Sequence, residues 1–207
     1  MATIIYVESE ATGRLSELGV SSSLIREAVL GGELARDGCT PNDPPILRGI
    51  VAWARTIRTL RELLGAAGWR RDDKDNFSTV VHPDGQLAIA VAAGDDQTGN
   101  PAATSKTRHP KGGVTEAAVE NNQQLSLFAL TELAPPKKLR ATWILLVHRK
   151  EGFLHTELSL PSAIGDDGRV DAWSERIILE PIGSASDLID IPEAPPAIEI
   201  AVTRKSG

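Results

Sequence analysis

One cysteine, one methionine and one tyrosine occur among the 207 residues, and aromatic side chains make up only 4%. A lone thiol, Cys39, cannot form an intramolecular disulfide, and no cysteine set exists for structural zinc. The fold must therefore rest on an apolar core, and the cysteine usage fits a reducing compartment. No apolar run approaches the roughly 18–20 residues that a membrane helix needs. The longest, Trp143-Ile144-Leu145-Leu146-Val147, is of strand length. The opening residues Met1-Ala2-Thr3-Ile4-Ile5-Tyr6-Val7-Glu8 lack the basic and long apolar regions of a secretory signal. Together these absences predict a cytoplasmic chain with no membrane partner. Hydrophobic residues are 41% and charged residues 24% of the total, enough for one core of ordinary size, so residues 1–207 are read as one domain.

What is present alternates between strand and helix signals. Residues 3–7 form a short β-branched run, read as a first strand. Ser21-Ser22-Ser23 offers N-caps for a helix from about Leu24, and Gly31-Gly32 is expected to kink or end it. After Cys39-Thr40-Pro41-Asn42-Asp43-Pro44-Pro45, where Asp43 can cap, comes the clearest helix. Its apolar residues Ile46, Ile50, Trp53, Ile57, Leu60 and Leu64 recur at spacings of 4, 3, 4, 3 and 4, one stripe at about 100° per residue. Gly65 and Gly68 end it.

Residues 77–82 and 86–93 read as a β-hairpin turned at Pro83-Asp84-Gly85, and 143–148 and 153–160 as a second one turned near Glu151-Gly152. Between them, 94–113 lacks apolar periodicity and reads as a flexible glycine- and proline-rich loop. A short helix is predicted at 115–122 and a Pro-Pro-Lys-Lys linker at 135–138. Residues 175–179 read as a strand, 184–196 as an acidic linker and 197–203 as a closing strand. This order predicts an α+β fold: a mixed or largely antiparallel sheet, with two β-hairpins packed against a long amphipathic helix.

Charge is unevenly spread within a net of −6. Between 48 and 71 there are six arginines and one acid, Glu62, whereas from 151 onward eleven acids face four bases. Arg48, Arg55 and Arg58 lie opposite the apolar stripe of their helix, and Lys106, Arg108 and Lys111 follow in the loop. Guanidinium groups bind phosphate oxygens bidentately, so these six are candidate contacts to DNA or to an acidic partner. The bland alternative is a solvated helix face, and Asp72, Asp73 and Asp75 would weaken any positive field.

Five residues carry a specific signal. Gln124-Leu125-Ser126-Leu127-Phe128 resembles the peptide by which bacterial replication and repair proteins dock on the DNA sliding clamp. The resemblance covers this pentapeptide alone. It implies that Gln124 anchors by hydrogen bonds at the pocket edge, that Leu125, Leu127 and Phe128 fill apolar subsites, and that Ser126 is a spacer. It further implies a non-enzymatic accessory protein of bacterial DNA metabolism, of the kind mobile elements carry. The same residues also fit a half-buried strand of the protein's own core, since Leu125 and Leu127 alternate.

Catalytic patterns are incomplete. Pro83-Asp84 followed by Asp95-Asp96-Gln97 partly matches a metal-dependent nuclease pattern, but its lysine is replaced by Gln97, and a strand between Asp84 and Asp95 would hold them roughly 25–30 Å apart. Gly94-Asp95-Asp96-Gln97-Thr98-Gly99 starts like a phosphate-binding loop, yet Asn100-Pro101 stands where the lysine is needed. His148 and His155 would face each other across the second hairpin and could begin a metal site with Glu157 or His82, although two polar side chains on a wet face is the simpler reading. No catalytic, metal-binding or cofactor-binding set is assigned. Two further functions stay open: a protein-binding module of phage defence or counter-defence, and a divergent metal-dependent nuclease built on 94–113.

Overall fold

A computed structural model describes residues 2–131 and 139–183. The expected linkers at 135–138 and 184–196 and the closing strand at 197–203 lie outside the described residues. Among the described residues, eight strands and four α-helices follow in the order β1 (Ile4–Tyr6), α1 (Glu8–Glu17), α2 (Ser22–Asp37), α3 (Leu47–Gly65), β2 (Arg70–Asp72), β3 (Thr79–Val81), β4 (Leu87–Ala93), α4 (Gly113–Thr131), β5 (Ala141–Lys150), β6 (Phe153–Ile164), β7 (Val170–Ile178) and β8 (Ile182–Gly183). The strands form one mixed sheet in the order β1-β7-β6-β5-β4-β3-β2, with β8 paired to the start of β6. The fold is α+β.

The sheet is covered on both faces, and the strand period decides which residue meets which layer. In β4 and β5, Ile89, Val91, Trp143 and Leu145 point to one side and pack with Leu15, Ile25, Val29, Ile57, Leu60 and Leu64 of α1–α3. Ala92, Ile144 and Leu146 point to the other, where they meet Val119 of α4, Val170 and Trp173. Both expected hairpins form. The turn between β5 and β6 has Glu151 and Gly152 at φ 53° and 81°, the two successive positive values of a type I′ turn. Because β4 and β5 run parallel, their connection must cross over the sheet, and α4 makes that crossing. The sheet ends in two three-residue strands, β1 and β2, the latter carrying exposed Arg70 and Arg71. Short, charged edges discourage edge-to-edge pairing.

Several local expectations are corrected. The α2 helix runs straight through Gly31-Gly32. A Cβ on Gly32 would meet the Thr56 hydroxyl and the Ala52 carbonyl of α3, so the glycine allows two backbones to approach. Asp43 does not cap α3; its carboxylate accepts from Thr40 N at 2.7 Å and closes the preceding turn. The α3 stripe is only half buried. Ile57, Leu60 and Leu64 are covered, whereas Ile46, Ile50 and Trp53 are 71%, 48% and 40% exposed. The reason lies underneath: β3 stops at Thr79, opposite Ala90, so the sheet runs out below the first turns of α3. There the Trp53 indole donates to Val91 O at 3.0 Å, a carbonyl beyond the end of β3. Ile50→Ser should therefore shift stability by no more than about 0.5 kcal/mol, against roughly 2–5 kcal/mol for Leu60→Ala, as denaturant midpoints of the two variants would reveal.

Segment 94–113, expected as a flexible loop, contains no helix or strand before α4 begins, but its middle is packed on the sheet. Ser105 and Thr107 are fully buried and Thr98 is 2% exposed. Beneath them Glu157 and Arg176, 0% and 2% exposed, form an ion pair at 2.6 Å. Glu157 also accepts from Gly99 N at 3.0 Å and from the Ser105 and Ser159 hydroxyls. Arg176 donates to Ala103 O at 2.6 Å and Asn100 O at 3.2 Å. A carboxylate and a guanidinium on adjacent strands thus bind both ends of the segment's central bend.

Candidate functional site

The pentapeptide Gln124 to Phe128 is neither a loop nor a strand. The predicted helix at 115–122 continues through it, and the five residues form the later turns of α4. The first half of α4 is fixed by a proline-containing irregularity in β6. Register shifts around Pro161 free carbonyls from the sheet ladder. Asn122 Nδ2 donates to Pro161 O and to Thr142 O, both at 3.0 Å, while its Oδ1 accepts from Thr142 N at 2.8 Å. Gln123 Nε2 donates to Ser162 O at 2.7 Å. Past these anchors the helix keeps its side chains largely out of the core. Gln124 is exposed, Leu125, Ser126 and Phe128 are half-buried, and Leu127 and Leu130 are 62% and 63% exposed.

At about 100° per residue, Gln124, Leu127 and Phe128 share one helical face at i, i+3, i+4, directed away from the buried Thr115, Val119 and Asn122. Leu125 falls roughly 110° to the side of that face. A helical α4 therefore presents three of the four side chains that the resemblance singles out together and sets Leu125 apart. An extended segment would place them differently, with alternate residues on opposite sides. The sequence signal for a helix here was the absence of glycine and proline from Thr115 until Pro135, with Ala, Glu, Gln and Leu making up much of the run.

The six candidate phosphate contacts do not form one surface. Arg48, Arg55 and Arg58 are exposed on α3. Arg58 is paired with Glu62 at 2.8 Å, and Arg48 reaches Cys39 O at 3.5 Å. Lys106, Arg108 and Lys111 belong instead to the layer that includes α4. Lys106 pairs with Asp171 at 3.3 Å, Arg108 N donates to Ala93 O, and Lys111 N donates to Gly168 O. Burial pushes the Lys111 ammonium below the ordinary lysine range. The sheet stands between the two trios, so no single duplex backbone runs along all six. Arg61, on the flank of the stripe, is used internally: it donates to Thr79 O and Asp72 O and pairs with Asp73 at 2.6 Å.

The partial catalytic patterns find no common site. Asp84 sits in the turn before β4 and Asp95 follows its end, so the strand separates them. His148 and His155 are register partners across the β5–β6 hairpin, as the turn length implies. They do not lie on a wet face: His148 Nδ1 is 3.2 Å from Gly94 O, and Gly99 packs against His155. Burial, then the neighbouring His148, holds the His155 imidazolium below the usual histidine range. Glu157 is committed to Arg176. Among the described residues no three His, Cys, Asp or Glu side chains gather as a metal site would require. Cys39 lies after α2, its thiol 3.9 Å from Ala35 O. No helix of the described residues is long and apolar enough to cross a membrane. No family model, no curated protein and no solved structure matches this chain.

Proposed function

We propose that this chain is an accessory protein of bacterial DNA metabolism that docks on the DNA sliding clamp through Gln124, Leu125, Ser126, Leu127 and Phe128. The observation that supports the reading is exposure: Leu127 is 62% exposed, so its side chain is not spent on the protein's own interior. Docking as an extended peptide requires the last turns of α4 to unwind. The hydrogen bonds of Asn122 and Gln123 to β6 lie before the motif and need not break when it unwinds. Helix ends open at low cost, since their final carbonyls have no intrahelical partner. Against that cost, burying Leu125, Leu127 and Phe128 on a partner is worth about 1.5–3 kcal/mol each before ordering terms. The gross sum, about 4.5–9 kcal/mol, must also meet those costs, so a micromolar dissociation constant requires Gln124 and flanking contacts to contribute as well.

The test is a titration of clamp with the full chain and with Leu127→Ala plus Phe128→Ala. The double variant should bind about 100-fold more weakly or not at all, with an unchanged melting temperature, because two partly exposed side chains contribute little to the fold. Equal binding by both proteins would refute the docking reading. The arginines on α3 would add a weak, salt-sensitive contact to DNA. A second reading, a protein-binding module of phage defence or counter-defence, draws on a different feature, the uncovered Ile46, Ile50 and Trp53 of α3. Binding of a partner that survives the α4 double variant but is lost in Ile50→Glu would favour it.

A further inference from the structure

The first turns of α3 overhang the sheet. Ile46, Ile50 and Trp53 lie on the side of the helix that farther along packs on the sheet, but β3 has stopped beneath them and all three are exposed. From Pro44 to Ala54 the chain carries a single charged side chain, Arg48. Leu47, Val51 and Ala54 of the same turns are half-buried. Trp53 is held in place, because its indole N–H donates to Val91 O at 3.0 Å. A rigid ring therefore borders the patch, and a side chain fixed beforehand loses little freedom on contact. A Cβ on Gly49 would meet nothing within 4 Å, so the backbone there is open to close approach by another helix.

Which partner suits this face follows from where the charges are. At about 100° per residue, Arg48 and Arg55 each lie roughly 140° or more from Ile46, Ile50 and Trp53. Arg58 is already paired with Glu62. An acidic partner would thus find no unpaired cation of α3 beside the stripe. The face matches a surface as uncharged as itself, and the same stretch on a second copy of the chain is one. Two copies can meet there without opposing Arg48 and Arg55, which leave the helix on its far side. Contacts between identical subunits favour such apolar, charge-poor cores, with tryptophan enriched.

We infer that this chain self-associates as a two-fold dimer through the first turns of α3. With the two helices antiparallel across the axis, Ile50 meets its own counterpart, and Ile46 of one protomer lies beside Trp53 of its partner. The patch offers a few hundred square ångströms per protomer, short of the roughly 800 Å² per partner of a standard interface. The dimer is therefore weak, with a dissociation constant of about 10–100 μM. The clamp peptide lies on α4, across the sheet from α3, so the two proposals stand or fall separately.

Sedimentation equilibrium of the full chain from about 5 to 500 μM tests the inference, and the parent should pass from monomer to dimer across that range. Ile50→Glu sets two carboxylates at the axis and should raise the dissociation constant about 100-fold or more, at an unchanged melting temperature. Ile50→Lys should be monomeric as well. An equimolar mixture of the two variants should recover the dimer, because unlike charges then face each other across the axis. Should Ile50→Glu lower the melting temperature, Ile46→Glu, at a site 71% exposed, carries the same test. The Leu127→Ala plus Phe128→Ala variant should associate like the parent. A parent that stays monomeric at the highest concentration overturns the inference and leaves the face to a foreign partner. A dimer that persists in Ile50→Glu, a mixture that fails to associate, or a dimer lost in the α4 double variant would overturn it too.

Discussion

Arg176→Met should lower the unfolding free energy by about 3–5 kcal/mol, the usual cost of removing one partner of a buried ion pair. The substitution leaves the Glu157 carboxylate at 0% exposure with three neutral donors, Gly99 N, Ser105 Oγ and Ser159 Oγ, and no counter-charge. It also strips the donors from Asn100 O and Ala103 O, so the bend at 100–103 loses its tie to β7, while Ser105, Lys106 and Thr107 keep theirs to Trp173, Asp171 and Val170. For a chain of this size the melting temperature should fall by roughly 10 °C or more. Amides between 94 and 107 should exchange faster than those of β4 and β5. The companion change Glu157→Leu on the Arg176→Met background should recover part of the loss, because an apolar pair in place of a buried ion pair is often neutral. Recovery should be incomplete, since Gly99 N and Ser105 Oγ would then lack their acceptor. A single variant within about 1 kcal/mol of the parent would mean that Glu157 is solvated by another route.

Gly32→Val should be nearly as damaging, at about 3 kcal/mol or more, although glycine is a poor helix former. On propensity alone, replacing Gly32 in the middle of α2 should help the helix by up to about 1 kcal/mol. The tertiary term has the opposite sign and is larger. A Cβ there runs into the Thr56 hydroxyl and the Ala52 carbonyl, the second being backbone that cannot swing aside. The α2–α3 pair would have to separate, lifting Ile57 and Leu60 off the sheet. Chemical denaturation of Gly32→Val and of Gly13→Ala separates the two effects. Nothing lies near Gly13, so alanine there should be neutral or stabilising. Stabilisation by both changes would show that the helix contact yields.

How much of this was legible from residues alone differs from element to element, and the reason is the range of the interaction. Some local signals held, whereas the break at Gly31-Gly32 and the Asp43 cap did not. Ser21 caps α2 through Leu24 N at 3.2 Å, Gly68 at φ 83° ends α3, and both hairpins turn where glycine permits positive φ. The α3 stripe was visible as a period, but a period states only which residues share a face. That Ile46 and Ile50 face no sheet depends on where β3 stops, a property of another segment of chain. The candidate peptide illustrates the same limit. Its five side chains could be read as strand, loop or helix, and the run preceding them made helix the outcome.

The buried Glu157–Arg176 pair was not legible at all. Each is one charged residue among many, and only the antiparallel pairing of β6 with β7 brings them within 2.6 Å. The six basic residues are divided for a related reason: sequence places them in two clusters, and the sheet puts those clusters in different layers.

By itself, the chain's order of residues settled things that neighbours decide: turn positions, the Ser21 cap, helix periods and the α+β class. What only the tertiary structure decided was exposure and company. Whether Leu127 meets solvent, whether Gly32 breaks a helix or joins two, and whether an isolated glutamate finds its arginine all depend on segments tens of residues away. Those distances are crossed by packing of the sheet layers, which no local pattern encodes.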